Sequence, residues 1–250
     1  MTTTDSHVGR TAVVTGAAGG FGTAIALELA RRGADIIAVD INSADETAAA
    51  VRETGRRAIA LQADISDPEQ VADITPDMIG FTGRVDILIN NAGAFPFIDI
   101  FDLDYAKWRQ TFAINTDTQF LMATAVMRSM RENGWGRIVN LASNSLGLAV
   151  PQMVAYMSAK GAVVGFTRSL ATDLAPYGIT VNAVCPTASR TPGGHKFIGD
   201  EIIDSVAGMQ AIKRAGVAED IVGTVCFLSS DDSAFMTGQT VVCDGGLMRV

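Results

Sequence analysis

Three side chains near the middle of the chain have the types and spacing of a proton-transfer site. Tyr156 and Lys160 lie four residues apart in segment 152–175, whose pattern predicts a helix, so both project from one face. A phenol has an ordinary pKa of about 10, and an ammonium group about 4 to 6 Å away stabilises the phenolate by roughly 3 to 4 kcal/mol, before desolvation subtracts its share. Ser143, at the end of a predicted strand, offers a hydroxyl to hold a substrate oxygen. Together they predict general acid/base catalysis, with Lys160 lowering the pKa of Tyr156.

A glycine-rich turn follows the first predicted strand and precedes a helical pattern that begins at Thr23. The turn contains Gly16, Gly20 and Gly22. Glycines let the backbone approach a pyrophosphate closely, and the N-terminus of the following helix supplies unpaired N–H groups. A strand, a glycine turn and a helix in this order predict a dinucleotide site.

A carboxylate ends the second predicted strand, roughly 20 residues beyond the glycines, where the adenosine ribose of a dinucleotide presents its hydroxyls. Asp40 would accept hydrogen bonds from both hydroxyls and would repel a 2′-phosphate. Neighbouring Ala18, Ile41 and Asn42 offer no cation to offset that repulsion. The sequence therefore favours NAD over NADP. The alternative role of Asp40, capping the next helix, is better filled by Ser43.

Short apolar runs alternate with longer helical segments along the chain, at 11–15, 35–39, 58–61, 85–89, 137–141 and 179–184. This alternation predicts an α/β fold with a parallel sheet covered on both faces by helices. No repeat or linker divides the chain, so we expect one domain over residues 1–250. Residues 187–213 are the exception: a Thr191-Pro192-Gly193-Gly194 stretch precedes apolar residues, which fits either a mobile flap or a helical excursion packed permanently on the body. His195, within it, is expected to be an exposed loop residue.

Composition and charge exclude several classes of protein. The chain has 250 residues, 19 basic against 27 acidic side chains and a net charge of −8, which argues against nucleic-acid binding. Its longest uncharged stretch, 138–159, is too polar for a bilayer span, and its N-terminus has no apolar signal segment. Three widely spaced cysteines suggest neither a disulfide framework nor a metal site. We expect a cytoplasmic protein that binds no membrane.

The sequence resembles the short-chain dehydrogenases/reductases of the single-domain type along essentially its whole length. The residues that carry the resemblance are Thr15, Gly16, Gly20, Gly22, Asp64, Asn90, Asn91, Ala92, Gly93, Asn115, Ser143, Tyr156 and Lys160. The resemblance implies a Rossmann fold with a doubly wound sheet of about seven strands, and transfer of the pro-S hydride. It also implies a homotetramer whose interfaces use two long helices and the strand near Val241 and Val242.

The resemblance also implies roles for individual residues. Tyr156 would be the general acid/base and Ser143 would orient the substrate oxygen. Lys160 would bind the nicotinamide ribose, and Asn115 would anchor a water that leads protons to it. Asp64 and Ile65 would hold the adenine. The implied cofactor contacts are Gly16, Gly20, Phe21, Gly22, Asp40, Ile41, Asp64, Ile65, Asn91, Ala92, Gly93, Tyr156, Lys160, Pro186 and Thr191. Thr187 stands where the family commonly has glycine, so substrate shape or loop geometry differs there.

The residues expected around the reacting carbon are mainly apolar or aromatic and include no arginine to grip an anion. They are Phe95, Phe97, Asn144, Ser145, Val150, Met153 and Thr187. We expect an uncharged hydrophobic ketone and its secondary alcohol. Segments 94–97 and 133–137 resemble the phenylethanol and pyridoxal dehydrogenase branches of the family, which favours an aryl or cyclic substrate, although Trp135 is as readily structural. The alternatives are a 3-oxoacyl-thioester reductase, a steroid or sugar-ring enzyme and a non-catalytic NAD-binding regulator.

Overall fold

A computed structural model of the chain describes residues 5–191 and 198–248. The strands are β1 (Thr11–Thr15), β2 (Asp35–Asp40), β3 (Ala58–Gln62), β4 (Ile87–Asn90), β5 (Gly136–Leu141), β6 (Ile179–Pro186), β7 (Ser189–Arg190), β8 (Gly216–Val217) and β9 (Thr240–Cys243). The α-helices are α1 (Gly20–Arg31), α2 (Asp45–Glu53), α3 (Pro68–Gly80), α4 (Tyr105–Phe112), α5 (Thr118–Glu132), α6 (Val154–Leu174), α7 (Asp200–Met209) and α8 (Glu219–Leu228).

Seven strands form one parallel sheet in the order β3-β2-β1-β4-β5-β6-β9. The chain builds outward from β1 in one direction and then, from β4, in the other. In such open sheets the strand order reverses at a crevice outside the carboxyl ends of the strands, and ligands bind there. The predicted doubly wound α/β fold is confirmed.

Alternate residues of each central strand face opposite sides of the sheet, and each side has its own apolar core. In β1, Ala12 and Val14 pack with α1, α2 and α8, whereas Val13 packs with α3, α5 and α6. All three side chains are fully buried. Because both faces of the sheet are covered, its strands are apolar throughout, which is the pattern seen in the sequence.

Two helix starts differ from those that the sequence predicts. Helix α1 begins at Gly20 rather than Thr23, since glycines carry no side-chain pattern that marks the first turn. The N-cap of α2 is Ala44 and not Ser43, although the Ser43 hydroxyl accepts a hydrogen bond from the Asp45 amide at 3.2 Å. Asp40 lies outside this helix start, so it does not cap α2.

Residues 187–213 contain the short strand β7, which pairs in parallel with β8, and helix α7. The predicted loop around His195 lies outside the described residues, which exclude 192–197. One face of α7 packs on the body through Ile203, while Ile202 lines the crevice. The predicted apolar underside of this segment is therefore present.

Within residues 5–191 and 198–248, no helix is long and apolar enough to cross a membrane. Over the same ranges, no three His, Cys, Asp or Glu side chains cluster closely enough to hold a metal ion.

Candidate active site

A cavity of about 960 Å³ lies at the carboxyl ends of the strands and extends from Asp40 to Tyr156. This volume is near the upper end of ordinary ligand pockets, which span roughly 300 to 1,000 Å³. The predicted residues that line it are Gly16, Gly20, Phe21, Asp40, Ile41, Asp64, Ile65, Asn91, Ala92, Gly93, Phe95, Phe97, Asn115, Ser143, Asn144, Ser145, Val150, Met153, Tyr156, Lys160, Pro186, Thr187 and Thr191. The fold therefore brings nearly the whole predicted site together.

Gly22 is the predicted cofactor residue that does not line the cavity, and its role is to let the turn close. A Cβ atom at Gly22 would overlap the carbonyl oxygen of Gly16 and would lie 2.9 Å from Nδ2 of Asn91. Asn91 donates from Nδ2 to the carbonyls of Thr15, at 2.8 Å, and Gly16, at 3.1 Å. Gly16 has φ of +64°, in the region that glycine adopts without strain. These contacts fix the loop between β1 and α1 against the end of β4.

The Asp40 carboxylate is hydrogen-bonded to the glycine-rich turn between β1 and α1. Its Oδ2 accepts a hydrogen bond from the amide of Ala18 at 2.9 Å, and its Oδ1 accepts one from the amide of Asn42 at the same distance. Oδ1 also accepts a longer hydrogen bond from Nδ2 of the exposed Asn42 side chain, at 3.4 Å. A carboxylate has about four acceptor positions, so Oδ2 retains one, and displacement of the Asn42 side chain would free another on Oδ1. The arrangement fits a carboxylate oriented towards two neighbouring hydroxyls.

Asp64, predicted to hold the adenine, uses its side chain to close a turn. Its Oδ1 accepts from the amide of Ser66 at 2.9 Å and from the hydroxyl of Ser66 at 2.7 Å. The neighbouring Ile65 is buried and also lines the cavity. Contact with an adenine ring at this end of the cavity stays a prediction.

Tyr156 and Lys160 project from the first turns of α6 into the other end of the cavity. Tyr156 is 8% exposed and Lys160 is 4% exposed. The Nζ atom of Lys160 donates to the carbonyl of Leu141 at 2.8 Å and lies 5.8 Å from the centre of the Tyr156 ring. The predicted helix thus places both groups as expected.

The predicted net lowering of the Tyr156 pKa is wrong. Burial raises the pKa of Tyr156 to about 12, while a hydrogen bond from the Ser143 side chain acts in the opposite direction. Burial also lowers the pKa of Lys160 to about 8. Desolvation opposes the charged form of both groups, and here it exceeds the benefit of their proximity.

Asn115 is positioned by a local irregularity that the sequence does not reveal. Residues Ala113–Asp117 form one π-helical turn between α4 and α5, a feature often found at functional sites. The Asn115 side chain accepts from the amide of Ala94 at 3.2 Å and donates to the carbonyls of Ala94, at 2.8 Å, and Thr111, at 3.0 Å. It thereby fixes the segment after β4, and the predicted water relay stays a prediction.

Gly93 lies in close contact with the side chains of Asn115 and Lys160. A Cβ atom at this position would lie 2.8 Å from Oδ1 of Asn115 and 3.4 Å from Nζ of Lys160. The glycine therefore lets the asparagine and the lysine approach the end of β4 together.

The predicted substrate end of the cavity is largely apolar. The rings of Phe95 and Tyr156 meet edge to face, with centroids 6.3 Å apart, and Val150 and Met153 line the same wall. Over the described residues, the charged side chains that line the cavity are Asp40, Asp64 and Lys160. This end of the cavity accordingly suits an uncharged ligand.

Sequence reasoning missed two residues that brace this end. Gln210, at the end of α7, pairs through Oε1 with the hydroxyl of Thr187 at 3.1 Å, so the departure from glycine at 187 is matched by a buried partner. Asp244 accepts from Nδ2 of Asn144 at 3.2 Å. Both partners are distant in sequence and belong to no local pattern, so only the fold could reveal them.

Trp135 and Cys185 have structural roles. Trp135 lies outside the described lining of the cavity; its Nε1 donates to Asp231 at 2.8 Å, and Arg10 stacks 3.6 Å from its ring centre. Cys185 is fully buried, and burial raises the pKa of its thiol, as expected for an inert cysteine.

The whole chain is similar to known oxidoreductases. A family model described as enoyl-(acyl carrier protein) reductase matches residues 16–248. Versicolorin reductase 1 of Aspergillus parasiticus is 34% identical over 256 residues, which covers 96% of this chain and 97% of that protein. The chain belongs to the short-chain dehydrogenase/reductase family.

Two further similarities extend along this short-chain dehydrogenase/reductase. The NAD-dependent glycerol dehydrogenase of Listeria innocua is 35% identical over 237 residues, covering 95% of this chain and 93% of that protein. A crystal structure of carveol dehydrogenase from Mycobacterium avium in complex with NAD has a TM-score of 0.91 at 28% identity, covering 98% of this chain and 99% of that one. The predicted family and fold are thus confirmed.

Proposed function

We propose that this short-chain dehydrogenase/reductase is an NAD(H)-dependent enzyme that interconverts a hydrophobic secondary alcohol and its ketone. The observation that carries the proposal is a single cavity with a glycine turn and Asp40 at one end and Tyr156, Ser143 and Lys160 at the other. A dinucleotide site and a proton-transfer site that share one cavity fit a reaction in which a hydride and a proton move together.

The residues present fit NAD as the cofactor. The turn leaves no room for a side chain at Gly22, and its backbone is open to a pyrophosphate. Asp40 would accept from the adenosine ribose hydroxyls and would disfavour a 2′-phosphate. One relative is named an NAD-dependent dehydrogenase and one similar structure contains NAD, which supports the same choice. When bound, the nicotinamide would supply or accept the hydride.

The side chains of this protein would handle the proton. In ketone reduction Tyr156 gives its phenolic proton to the carbonyl oxygen, and in alcohol oxidation the phenolate accepts the hydroxyl proton. Ser143 donates a hydrogen bond to the same oxygen and stabilises the charge that develops on it. Lys160, with its pKa lowered to about 8 by burial, is mainly protonated at neutral pH and attracts the phenolate.

The apolar walls support a ring-bearing substrate. Relatives and neighbours of this chain are named for glycerol as well as for the larger versicolorin and carveol. Phe95, Val150 and Met153 offer carbon surface and few hydrogen-bonding groups, whereas a small polyol would need several. We therefore propose an aryl or cyclic ketone as the substrate.

A panel assay tests the proposal. Purified protein is mixed with NADH and, separately, with aryl ketones, cyclic ketones, acetoacetyl thioesters and dihydroxyacetone, and the loss of NADH absorbance is followed. We expect turnover with the first two classes and a preference for NADH over NADPH. If no class of substrate is turned over although NADH binds tightly, the result would instead favour a regulator without turnover.

Tyr156→Phe provides the matched control. It keeps the ring, and with it the edge contact to Phe95, and removes only the phenolic hydroxyl group. We expect NADH binding within twofold of wild type and a loss of turnover of at least a thousandfold. A substantial residual rate would show that another group transfers the proton.

The description of the matching family model supports one alternative, reduction of an acyl thioester. The three charged residues of the described cavity lining include one cation, Lys160, which gives little for a phosphorylated carrier to bind. A thioester that exceeds the aryl ketones in kcat/KM would establish the alternative and reject our choice of substrate.

We also propose that the protein works as a homotetramer. Several large apolar side chains are exposed on the single chain, among them Phe101, Phe120 and Phe235. Exposed apolar groups of this size are typical of surfaces that associate. Sedimentation equilibrium would give the mass of four chains, and a monomeric mass would contradict the proposal.

A further inference from the structure

The hydroxyl of Ser143 is contacted twice by a second serine, Ser145, which lies two residues later in the chain. Its Oγ accepts a hydrogen bond from the Ser145 hydroxyl at 2.9 Å and another from the Ser145 amide at 3.2 Å. Both serines are buried, and both line the cavity beside Tyr156. The two contacts come from one residue and lie in one short 3-10 turn, Asn144–Gly147.

The two hydrogen bonds from Ser145 limit the further contacts that the Ser143 hydroxyl can make. A hydroxyl has two acceptor positions and a single hydrogen. Ser145 fills both acceptor positions of Ser143, so Ser143 retains only its hydrogen for any further contact. Before substrate binds, that hydrogen serves Tyr156, since the hydrogen bond from Ser143 lowers the pKa of the phenol. Once a substrate oxygen lies beside the phenol, the same hydrogen is the one that Ser143 donates to it. The donors thus run in one direction, from Ser145 through Ser143 to the oxygen that lies at the reacting end of the cavity.

This direction is the one that the reaction needs. An oxygen that gains negative charge requires donors aimed at it before the charge develops. A free serine hydroxyl can turn and accept a hydrogen bond from the substrate alcohol instead. With both acceptor positions filled, Ser143 cannot do so, and a chain of hydrogen bonds also polarises each member towards the last.

The turn that holds Ser145 is itself braced from a distant part of the chain. Asn144 donates to Asp244, whose carboxylate also accepts from the amides of residues 246–248 at 2.8 to 3.1 Å. A Cβ atom at Gly147 would overlap the side chain of Met248. The C-terminal turn therefore packs directly against the residues on both sides of Ser145 and keeps its two donors in place.

We propose that Ser145 is a positioning residue that holds Ser143 as a one-way donor to the reacting oxygen. The proposal rests on the function proposed above and assigns Ser145 a role different from the substrate contact predicted for it. Its hydroxyl acts through Ser143 and not on the substrate itself.

Ser145→Ala removes the hydroxyl donor and keeps the amide. We expect kcat for ketone reduction to fall about tenfold, since one hydrogen bond to the reacting unit is lost, while KM for the ketone and Kd for NADH stay within twofold. In alcohol oxidation the limb on which the rate rises with pH should move to higher pH, because the hydrogen bond from Ser143 lowers the pKa of Tyr156 and a less directed Ser143 lowers it less. Ser145→Thr, which keeps a hydroxyl, should recover most of the rate.

Two further variants keep the test decisive. Ser145→Cys preserves the volume of the side chain but offers only a weak S–H donor, so it should be nearly as slow as the alanine variant. Ser129→Ala removes a buried serine that accepts from Val85 at 3.1 Å, away from the cavity, and should show wild-type kinetics. NADH titration and circular dichroism of each variant identify any failure to fold.

A double-variant cycle separates action through Ser143 from direct action on the substrate. If Ser145 works through Ser143, the Ser143→Ala/Ser145→Ala protein should be as slow as Ser143→Ala alone, measured in single turnovers at high enzyme concentration. Two losses that multiply would mean that Ser145 contacts the substrate and would overturn the proposal. Unchanged kcat and pH profile in Ser145→Ala would overturn it as well. A wild-type enzyme without turnover would instead reject the proposed function.

Discussion

Replacing Lys160 with methionine tests the electrostatic basis of the proposed chemistry. Methionine keeps a long, unbranched side chain and removes the charge. Lys160 Nζ lies 5.8 Å from the centre of the Tyr156 ring, and both residues are buried. Two opposite unit charges at that separation attract by roughly 3 kcal/mol at an effective dielectric constant of about 20, which equals about 2 pKa units.

Burial disfavours the ionised form of Tyr156. It raises the pKa of Tyr156 to about 12, so the phenolate is the minor form at neutral pH. Below its pKa, the fraction of phenolate falls tenfold for each unit by which that pKa rises. A rise of about 2 units therefore predicts that Lys160→Met oxidises alcohol roughly a hundredfold more slowly at pH 7, where Lys160, with its pKa lowered to about 8, is mainly protonated.

The assay follows NADH formation at saturating NAD, because Lys160 is also expected to contact the nicotinamide ribose and the variant binds the cofactor less tightly. Lys107→Met is the matched control: Lys107 is exposed and donates to the carbonyl of Asp102, away from the cavity, so its loss should leave the rate unchanged. A loss of less than fivefold in Lys160→Met at saturating NAD would refute the reasoning. It would mean that burial, and not the lysine, governs the ionisation of Tyr156.

Three other perturbations test different parts of the structure. Asp40→Ala should raise the ratio of kcat/KM for NADP to that for NAD by at least tenfold, and an unchanged ratio would remove Asp40 from the ribose site. Gly22→Ala should destabilise the fold by roughly 1 to 3 kcal/mol and abolish NADH binding, because the new methyl group overlaps the Gly16 carbonyl; normal binding by calorimetry would contradict this. His7 is fully buried and burial lowers its pKa from 6.5 to about 4, so the unfolded chain takes up its proton first as the pH falls. The free energy of unfolding should drop by about 2 kcal/mol between pH 7 and pH 5, and urea titrations of His7→Gln should show a smaller drop.

Much of the fold follows from local patterns. The apolar runs predicted β1, β2, β3, β5 and β6 to within about two residues, because strands buried on both faces leave a continuous signature in the sequence. Asp67 is the N-cap of α3 and Pro68 its first residue, as their types indicate. Strands β7 and β8, of two residues each, leave no comparable pattern and were found only in the structure.

Some residues of the candidate site also follow from local patterns in the sequence, whereas the positions of others depend on tertiary packing. Spacing along one helix placed Tyr156 and Lys160 together, and the position of Asp40 after β2 placed it beside the glycine turn. The π-helical turn around Asn115 has no counterpart in the residue pattern, because it depends on how α4 and α5 pack against the segment after β4.

The sequence by itself determined which chemical groups this protein has and which end of the sheet they occupy, because residue type and period are local properties. Tertiary structure alone decided how strongly those groups ionise and which way their protons point. The pKa of Tyr156 depends on burial by distant segments, and the turn that contains Ser143 and Ser145 is braced by Asp244, about a hundred residues later in the chain. Solvation and hydrogen-bond direction are set by neighbours in space, which no local pattern encodes.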